Sequence, residues 1–229
     1  PKNSTLRSLK CSGSSIRSPK KSKTVYGNDL LIDTLIREGV LKTPRLIRAF
    51  RNCDRARFVP DGFRENAYAD IPLPIGEGQT ISQPTTVAIM LELLEPVPGN
   101  KILDIGSGSG WTTALLAHAV GADGTVEGTE RIGSLVAFGS RNLENAGITN
   151  GSIEYCPAGR LGKPESRFDR ILVSASAVRM PVELIDQLKP GGIMVIPVQE
   201  SLWKVVKNND ETVELLEYPG FRFVPLIIG

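Results

Sequence analysis

The run from Leu103 to Trp111, LDIGSGSGW, carries the clearest chemical signal in the chain. Gly106, Gly108 and Gly110 alternate with Ser107 and Ser109, so the backbone can turn tightly and approach a ligand with no Cβ in the way. A helix is predicted to follow, and its first N–H groups have no partner inside it. Asp104, just ahead of the turn, could hold a ligand ammonium directly or through water. Glu130 lies 20 residues beyond Gly110, at the predicted end of a second strand. A carboxylate there accepts hydrogen bonds from both ribose hydroxyls and excludes a 2′-phosphate. Each feature alone is weak; in this order and separation they point to a cofactor containing a nucleoside. A dinucleotide site wants G-x-G-x-x-G, whereas the spacing here is G-x-G-x-G, with Trp111 directly after Gly110.

A second candidate is Ser82, just before a helix predicted to begin near Pro84. Its hydroxyl either caps that helix or serves a reaction centre. No His or Lys base is visible beside it, so orienting a group by hydrogen bonding fits better than nucleophilic attack. His118, the single histidine, falls within the helix predicted after the glycine turn and is read as structural. Cys11, Cys53 and Cys156 are widely scattered and make neither a disulfide framework nor a metal spacing, so no metal is expected.

These residues need a scaffold. Asn28-Asp29 precede an apolar helical face of Leu30, Leu31, Ile32, Leu35 and Ile36. Thr43-Pro44 reads as an N-cap followed by proline at the first position of a helix, RLIRAFRN. Residues 54–80, rich in Pro, Gly and aromatics, read as ordered loop with short strands, and Pro84 to Leu94 as a third helix. From residue 101 the pattern becomes strand–helix alternation: KILDIG, GTVEGTE, SIEYC, FDRILVSAS and IMVIPV as strands, with helices at GWTTALLAHAV, Arg131 to Asn145 and VELIDQLK. Such alternation predicts a doubly wound, mainly parallel sheet covered on both faces. LWKVVK, VELLEY and FVPLII are three further strand-like runs, which predict an antiparallel C-terminal edge.

The charge divides unevenly. Residues 1–24 hold seven Lys or Arg and no acid. Setting these aside leaves 20 basic against 25 acidic residues, so the body carries −5 and the overall +2 belongs to the tail. A basic body that grips nucleic acid is not indicated. The serine-rich tail is expected to be disordered. No apolar run approaches the roughly 18 residues that a membrane span needs, and no signal peptide is read at the start. The cysteines fit a reducing, cytoplasmic setting, and a monomer is expected.

Several segments resemble one family. PLPIGEGQTISQPTTVAIMLELL, LDIGSGSGWTTALLA, the acid in GTER, AGRLGKPE, FDRILVSASA, ELIDQLKPGG and FVPL follow the order found in protein-L-isoaspartate O-methyltransferases, over about residues 28 to 229. GQTIS is the most specific, because methyltransferases in general lack it. The resemblance implies an α/β class I methyltransferase, Rossmann-like, with an N-terminal helical extension. Residues 25–229 would form one domain, with helices and substrate loop over 25–97 and the cofactor-binding core over 98–229. It implies S-adenosyl-L-methionine as cofactor, isoaspartyl proteins and peptides as partners, and methylation of the isoaspartyl α-carboxylate, which initiates repair through a succinimide. Ser82 matches the active-site serine. Thr80 and Ile81 would line the joint substrate and cofactor site, and Val224, Pro225 and Leu226 the isoaspartyl pocket. Asp104, Gly106, Ser107, Gly108, Gly110, Glu130, Ala158 and Gly159 match cofactor-binding positions.

The family pattern is not followed everywhere. It usually carries G-D-G where this chain has Pro157-Ala158-Gly159, and that aspartate ordinarily accepts a hydrogen bond from the adenine amino group. Losing one such bond costs roughly 1–3 kcal/mol, with backbone N–H groups near Gly159 and Arg160 expected to read the adenine instead. Thr85 stands where a histidine is common, and Val178 where a proline is usual. Two alternatives stay open: methylation of a dedicated peptide carboxylate, and a cofactor-binding adaptor without catalysis. Ser174-Ala175-Ser176-Ala177 replaces the (N/D)-P-P-(Y/F) motif of base-amino methyltransferases, which argues against nucleic acid as acceptor.

Overall fold

The computed structural model describes residues 27–227; the basic tail lies outside them. Two helices lead, α1 (Asn28–Arg37) and α2 (Pro44–Asn52), then two 3₁₀ turns, Arg55–Phe58 and Asp61–Asn66. A small antiparallel hairpin, β1 (Leu73–Gly76) and β2 (Gln79–Ile81), precedes α3 (Pro84–Leu94). The alternating region then runs β3 (Lys101–Ile105), α4 (Trp111–Val120), β4 (Thr125–Glu130), α5 (Gly133–Asn145), β5 (Gly151–Tyr155), β6 (Phe168–Val173), α6 (Val182–Ile185) and β7 (Leu188–Val198). It ends in β8 (Ser201–Lys207) and β9 (Val213–Pro219). No helix among the described residues is long and apolar enough to cross a membrane.

The larger sheet has the order β5-β4-β3-β6-β7-β8-β9, parallel from β5 to β7 and antiparallel at β8 and β9. Strand side chains alternate between faces, and here both faces are buried. Ile102, Leu172 and Val195 join a cluster with Leu35, Phe50, Leu91, Trp111 and Leu115 from α1 to α4. Their strand neighbours Leu103, Ile171 and Met194 face a second cluster with Leu184 and Leu188. The almost wholly apolar strands follow from that double burial.

Three expectations are corrected. VELIDQLK is not a full helix: α6 is one turn, because Gln187 leaves it to join the sheet. Its carbonyl accepts from Phe168 N (2.8 Å), and its buried side chain bonds Leu161 O, Glu183 O and Lys163 N. Residues 223–227 of the run FVPLII form no edge strand. Gly220 turns the chain at φ +97°, and the segment crosses to the ends of the parallel strands, held by Ser176 N to Val224 O and Leu226 N to Ser176 O, both 2.7 Å. Thr43 occupies the N-cap position of α2, but its hydroxyl bonds Glu92 Oε2 (2.7 Å) rather than the helix.

Candidate active site

The glycine turn is built at the C-terminal end of β3, where chain order reverses between β4 on one side and β6 on the other. Ligands of open α/β sheets bind in such a crevice. Gly106, Gly108 and Gly110 sit at φ +77°, +50° and +83°, a region that favours glycine. Space closes two of these positions as well. A Cβ on Gly110 would lie 3.0 Å from Gly139 O, and one on Gly108 would lie 3.1 Å from Ile75 Cδ1. The turn is tied to β4 by Gly106 N and Ser107 N, which both donate to Thr129 O (2.8 and 3.2 Å).

Glu130 ends β4 as expected. Its two oxygens accept from Gly108 N (3.1 Å) and Ile132 N (2.9 Å), which aims the carboxylate along the cavity wall. A carboxylate has about four acceptor positions, so two remain for a diol. Asp104 is fully buried behind the wall. Its Oδ2 accepts from the hydroxyls of Thr112 and Thr113, both at 2.7 Å, while its Oδ1 has no partner among the described residues. Burial raises its carboxyl to about 6, against the two threonine bonds and with a further push from the Glu130 charge.

The turn opens on a cavity of about 970 Å³, mouth included, walled by the ends of β3, β4 and β6, by Cys156 and by Arg160, Leu161 and Gly162. A second groove of about 740 Å³, open space included, lies beside it, lined among others by Pro72, Thr86, Arg222 and Phe223. Thr80, Ser82, Ser174 and Val224 line both. The structure thus brings Ser82, Thr80 and Ile81 to the same cavity as Gly106, Ser107, Gly108 and Glu130, with Val224, Pro225 and Leu226 completing it. Gly110 shapes the turn from behind.

Ala158 and Gly159 are not brought to this wall. Both are exposed, and Cys156, Arg160, Leu161 and Gly162 line the cavity there. The Arg160 N–H is also committed, to Pro157 O at 3.2 Å, so it is not free to read an adenine. His118 is exposed on α4 and lines neither cavity.

Ser82 is not the cap of α3. That position falls to Gln83, and no hydrogen bond engages the Ser82 hydroxyl among the described residues. The helix end is served from a distance by Asp70, whose Oδ1 accepts from Thr85 N (2.8 Å) and Oδ2 from Thr85 Oγ1 (2.7 Å) and Gln83 Nε2 (3.0 Å). The Ser82 carbonyl is held by Arg55, a fully buried guanidinium that donates to four carbonyls. Nη1 reaches Ala67 O (2.9 Å) and Ala69 O (3.2 Å), and Nη2 reaches Ile71 O (2.9 Å) and Ser82 O (3.0 Å). Its Cζ lies 5.4 Å from the Trp111 ring centroid, and burial lowers its pKa to about 10, leaving it charged at neutral pH. Sequence reasoning missed Arg55, Asp70 and Ser174. An arginine in DRARF gives no local sign of its burial, and Asp70 has no helical spacing to α3.

A family model described as protein-L-isoaspartate(D-aspartate) O-methyltransferase matches residues 26–229. The chain is 44% identical to the protein-L-isoaspartate O-methyltransferase of Methanopyrus kandleri over 202 residues, 86% of this chain and 89% of the other. It is 42% identical to the enzyme of that name from Pyrococcus horikoshii over 201 residues, 86% and 90% of the two chains. Its fold is similar to that of a Plasmodium falciparum protein assigned as a protein-L-isoaspartate O-methyltransferase and solved in complex with S-adenosyl-L-homocysteine. The TM-score is 0.79 at 27% identity, covering 89% of this chain and 99% of that one.

Proposed function

This chain belongs to the protein-L-isoaspartate(D-aspartate) O-methyltransferase family, and from that premise we propose that it methylates the free α-carboxylate of L-isoaspartyl residues in damaged proteins, with S-adenosyl-L-methionine as donor. The observation that carries this reading is the shared wall. A cavity suited to a nucleoside and a groove suited to a polypeptide share Thr80, Ser82, Ser174 and Val224.

The residues present fit the donor. Glu130 keeps two acceptor positions for ribose hydroxyls, and the orphaned Asp104 Oδ1 is an acceptor matched to an ammonium. When bound, the cofactor supplies a methyl group on a sulfonium, an electrophile that needs no metal. The chain's own task is then positional. An acceptor carboxylate with a pKa near 4 is already ionised at neutral pH, so no general base is required. Alignment and exclusion of water can lower the barrier by roughly 7–11 kcal/mol. Ser82, with its hydroxyl uncommitted and its backbone clamped by Arg55, orients the carboxylate. Val224, Pro225 and Leu226, brought across the strand ends by Ser176, wall the acceptor side. With Ala158 off the wall, adenine contacts fall to Cys156, Leu161 and Gly162.

We take residues 25–229 to act as one domain, since one apolar cluster joins α1 and α2 to α4 and the sheet. We read the protein as a cytoplasmic monomer that acts on polypeptide rather than nucleic acid or membrane. Cys53 and Cys156 are free thiols, which suits a reducing compartment.

The test pairs two peptides of identical sequence, one with L-isoaspartate and one with aspartate, incubated with methyl-labelled S-adenosylmethionine. Base-labile label on the isoaspartyl peptide alone is expected. No label on either peptide at saturating donor would overturn the reading and favour the adaptor.

A further inference from the structure

We propose that Ser174 binds the substrate, its hydroxyl donating to the acceptor carboxylate from the lining it shares with Ser82; this deepens the functional reading above and rests on it. Ser174 follows β6 directly. Its N–H donates to Ile105 O (2.9 Å), which continues the β6–β3 pairing by one residue and sets the side chain at the point where strand order reverses. There it overlies the first glycine of the turn: a Cβ added to Gly106 would stand 3.8 Å from Ser174 Cβ. Of the residues that line both cavities, it is the one contributed from a strand end of the large sheet; the others are Thr80 of the hairpin, Ser82 just after it and Val224 of the C-terminal segment.

The Ser174 oxygen is buried and has no hydrogen-bond partner among the described residues. Buried hydroxyls are almost always bonded, because leaving one unmade forfeits its interaction with water. An alanine would wall the cavity as well and would carry no such cost. A donor kept unpaired at the junction of two cavities is explained if the ligand arriving there brings the acceptor. A carboxylate does so, since it accepts at both oxygens and has no proton of its own. For methyl transfer one oxygen must direct a lone pair at the donor methyl while the carboxylate plane is held still. Two hydroxyls reaching it from different elements, Ser82 ahead of α3 and Ser174 after β6, define that plane where one would leave it free to rotate.

The closing experiment compares wild type, Ser174→Ala and Ser174→Thr in three measurements: initial-rate kinetics on the isoaspartyl peptide, calorimetric affinity for S-adenosylhomocysteine, and the thermal midpoint. Removing a hydrogen bond to a charged group is expected to lower kcat/KM for the peptide by roughly 10–100-fold in Ser174→Ala. Cofactor affinity should stay within about 2-fold, since the hydrogen bond removed is to the acceptor. The midpoint should hold or rise, because the hydroxyl stabilises nothing in the free protein. Ser174→Thr, which keeps the donor, should recover most of the activity. Unimpaired peptide kinetics in Ser174→Ala would overturn the proposal. So would a loss confined to cofactor affinity, which would place the hydroxyl on the donor instead. Wild type that methylates neither peptide would overturn the functional reading and this inference together, and is told apart because no variant is then needed to see it.

Discussion

The two sides of the reaction chamber are built differently. On the donor side the polar groups are fixed by partners within one supersecondary unit, β3 to β4. The turn after β3 bonds Thr129 and Glu130 at the end of β4, and Asp104 is held by Thr112 and Thr113 in the first turn of α4. On the acceptor side the anchors tie together segments that share no such unit. Arg55 gathers the carbonyls of residues 67 to 82, Asp70 serves the start of α3, and Ser176 draws in residues 224 to 226 from the end of the chain. The donor side is thus set by one strand–turn–helix–strand unit, while the acceptor side depends on the packing of separate loops, hairpin and C-terminal segment. Trp111 joins the two: its indole N–H donates to Cys53 O (3.1 Å), its ring meets Phe50 edge-on at 5.7 Å, and Arg55 lies over it.

Arg55→Lys is the strongest way to separate the sides. The charge survives, but a lysine ammonium is a compact point donor and cannot span four carbonyls as the planar guanidinium does. Leaving two or more of those carbonyls unpaired should cost roughly 2–4 kcal/mol of stability. The Ser82 backbone should loosen, lowering peptide kcat/KM further than the affinity for S-adenosylhomocysteine. Denaturant unfolding, with steady-state kinetics and calorimetry on the folded fraction, checks this. Equal losses on both sides would mean that the clamp supports the glycine turn through Trp111 as much as it supports Ser82, and the contrast would fail.

The same contrast explains what could be read from the sequence. The parallel sheet, its glycine turn, Glu130 and the helix at Pro84 were legible because period, apolar runs and a fixed 20-residue spacing are local facts. FVPLII misled for the same reason: its apolar run is strand-like, but Gly220 and the bonds to Ser176 decide its path, and these are tertiary. Gln187 likewise looks helical until its carbonyl is claimed by Phe168. The ambiguity of Ser82 between cap and functional hydroxyl could not be resolved from pattern, because no periodicity or motif ties α3 to Asp70, the residue that serves its first turn. Nothing in DRARF distinguishes Arg55, buried, from Arg57 beside it.

The donor side is probed by pH. Burial holds the Asp104 carboxyl up at about 6, so the folded protein keeps a proton there that the unfolded chain has already released. Between about pH 4 and 6 its contribution to stability therefore declines as pH rises, and the cost is fully present above that window. A ligand ammonium beside Oδ1 favours the ionised form, so binding works in the opposite direction. Affinity for S-adenosylhomocysteine should be constant above about pH 7 and weaken by about 10-fold near pH 5. Calorimetry across that range checks it, with Asp104→Asn as the control that should bind weakly and without this slope. A slope that persists in Asp104→Asn would show that Asp104 is not its source. A flat profile in wild type would remove Asp104 from the donor site altogether.

The smallest effect sharpens the acceptor side. Thr85 stands where a histidine is common in the family, and here its hydroxyl and N–H both engage Asp70. An aspartate at a helix N-terminus pairs with free N–H groups and with the helix dipole, and losing such a cap costs about 1 kcal/mol. Asp70→Ala should lower stability by that amount. If Asp70 does no more than cap, peptide kinetics will be unchanged once the folded fraction is accounted for. The arrangement predicts more. With Asp70 gone, the free N–H of Thr85 needs a new acceptor, and the Ser82 hydroxyl is the nearest uncommitted oxygen in sequence. Recruiting it would withdraw the hydroxyl from the acceptor carboxylate, so kcat/KM for the peptide should fall several-fold beyond the stability loss, with cofactor affinity unmoved. Asp70→Asn, which restores an acceptor for the helix, should return the kinetics to near wild type; if it does not, it is the charge of Asp70 beside Arg55, rather than its capping, that matters to the acceptor side.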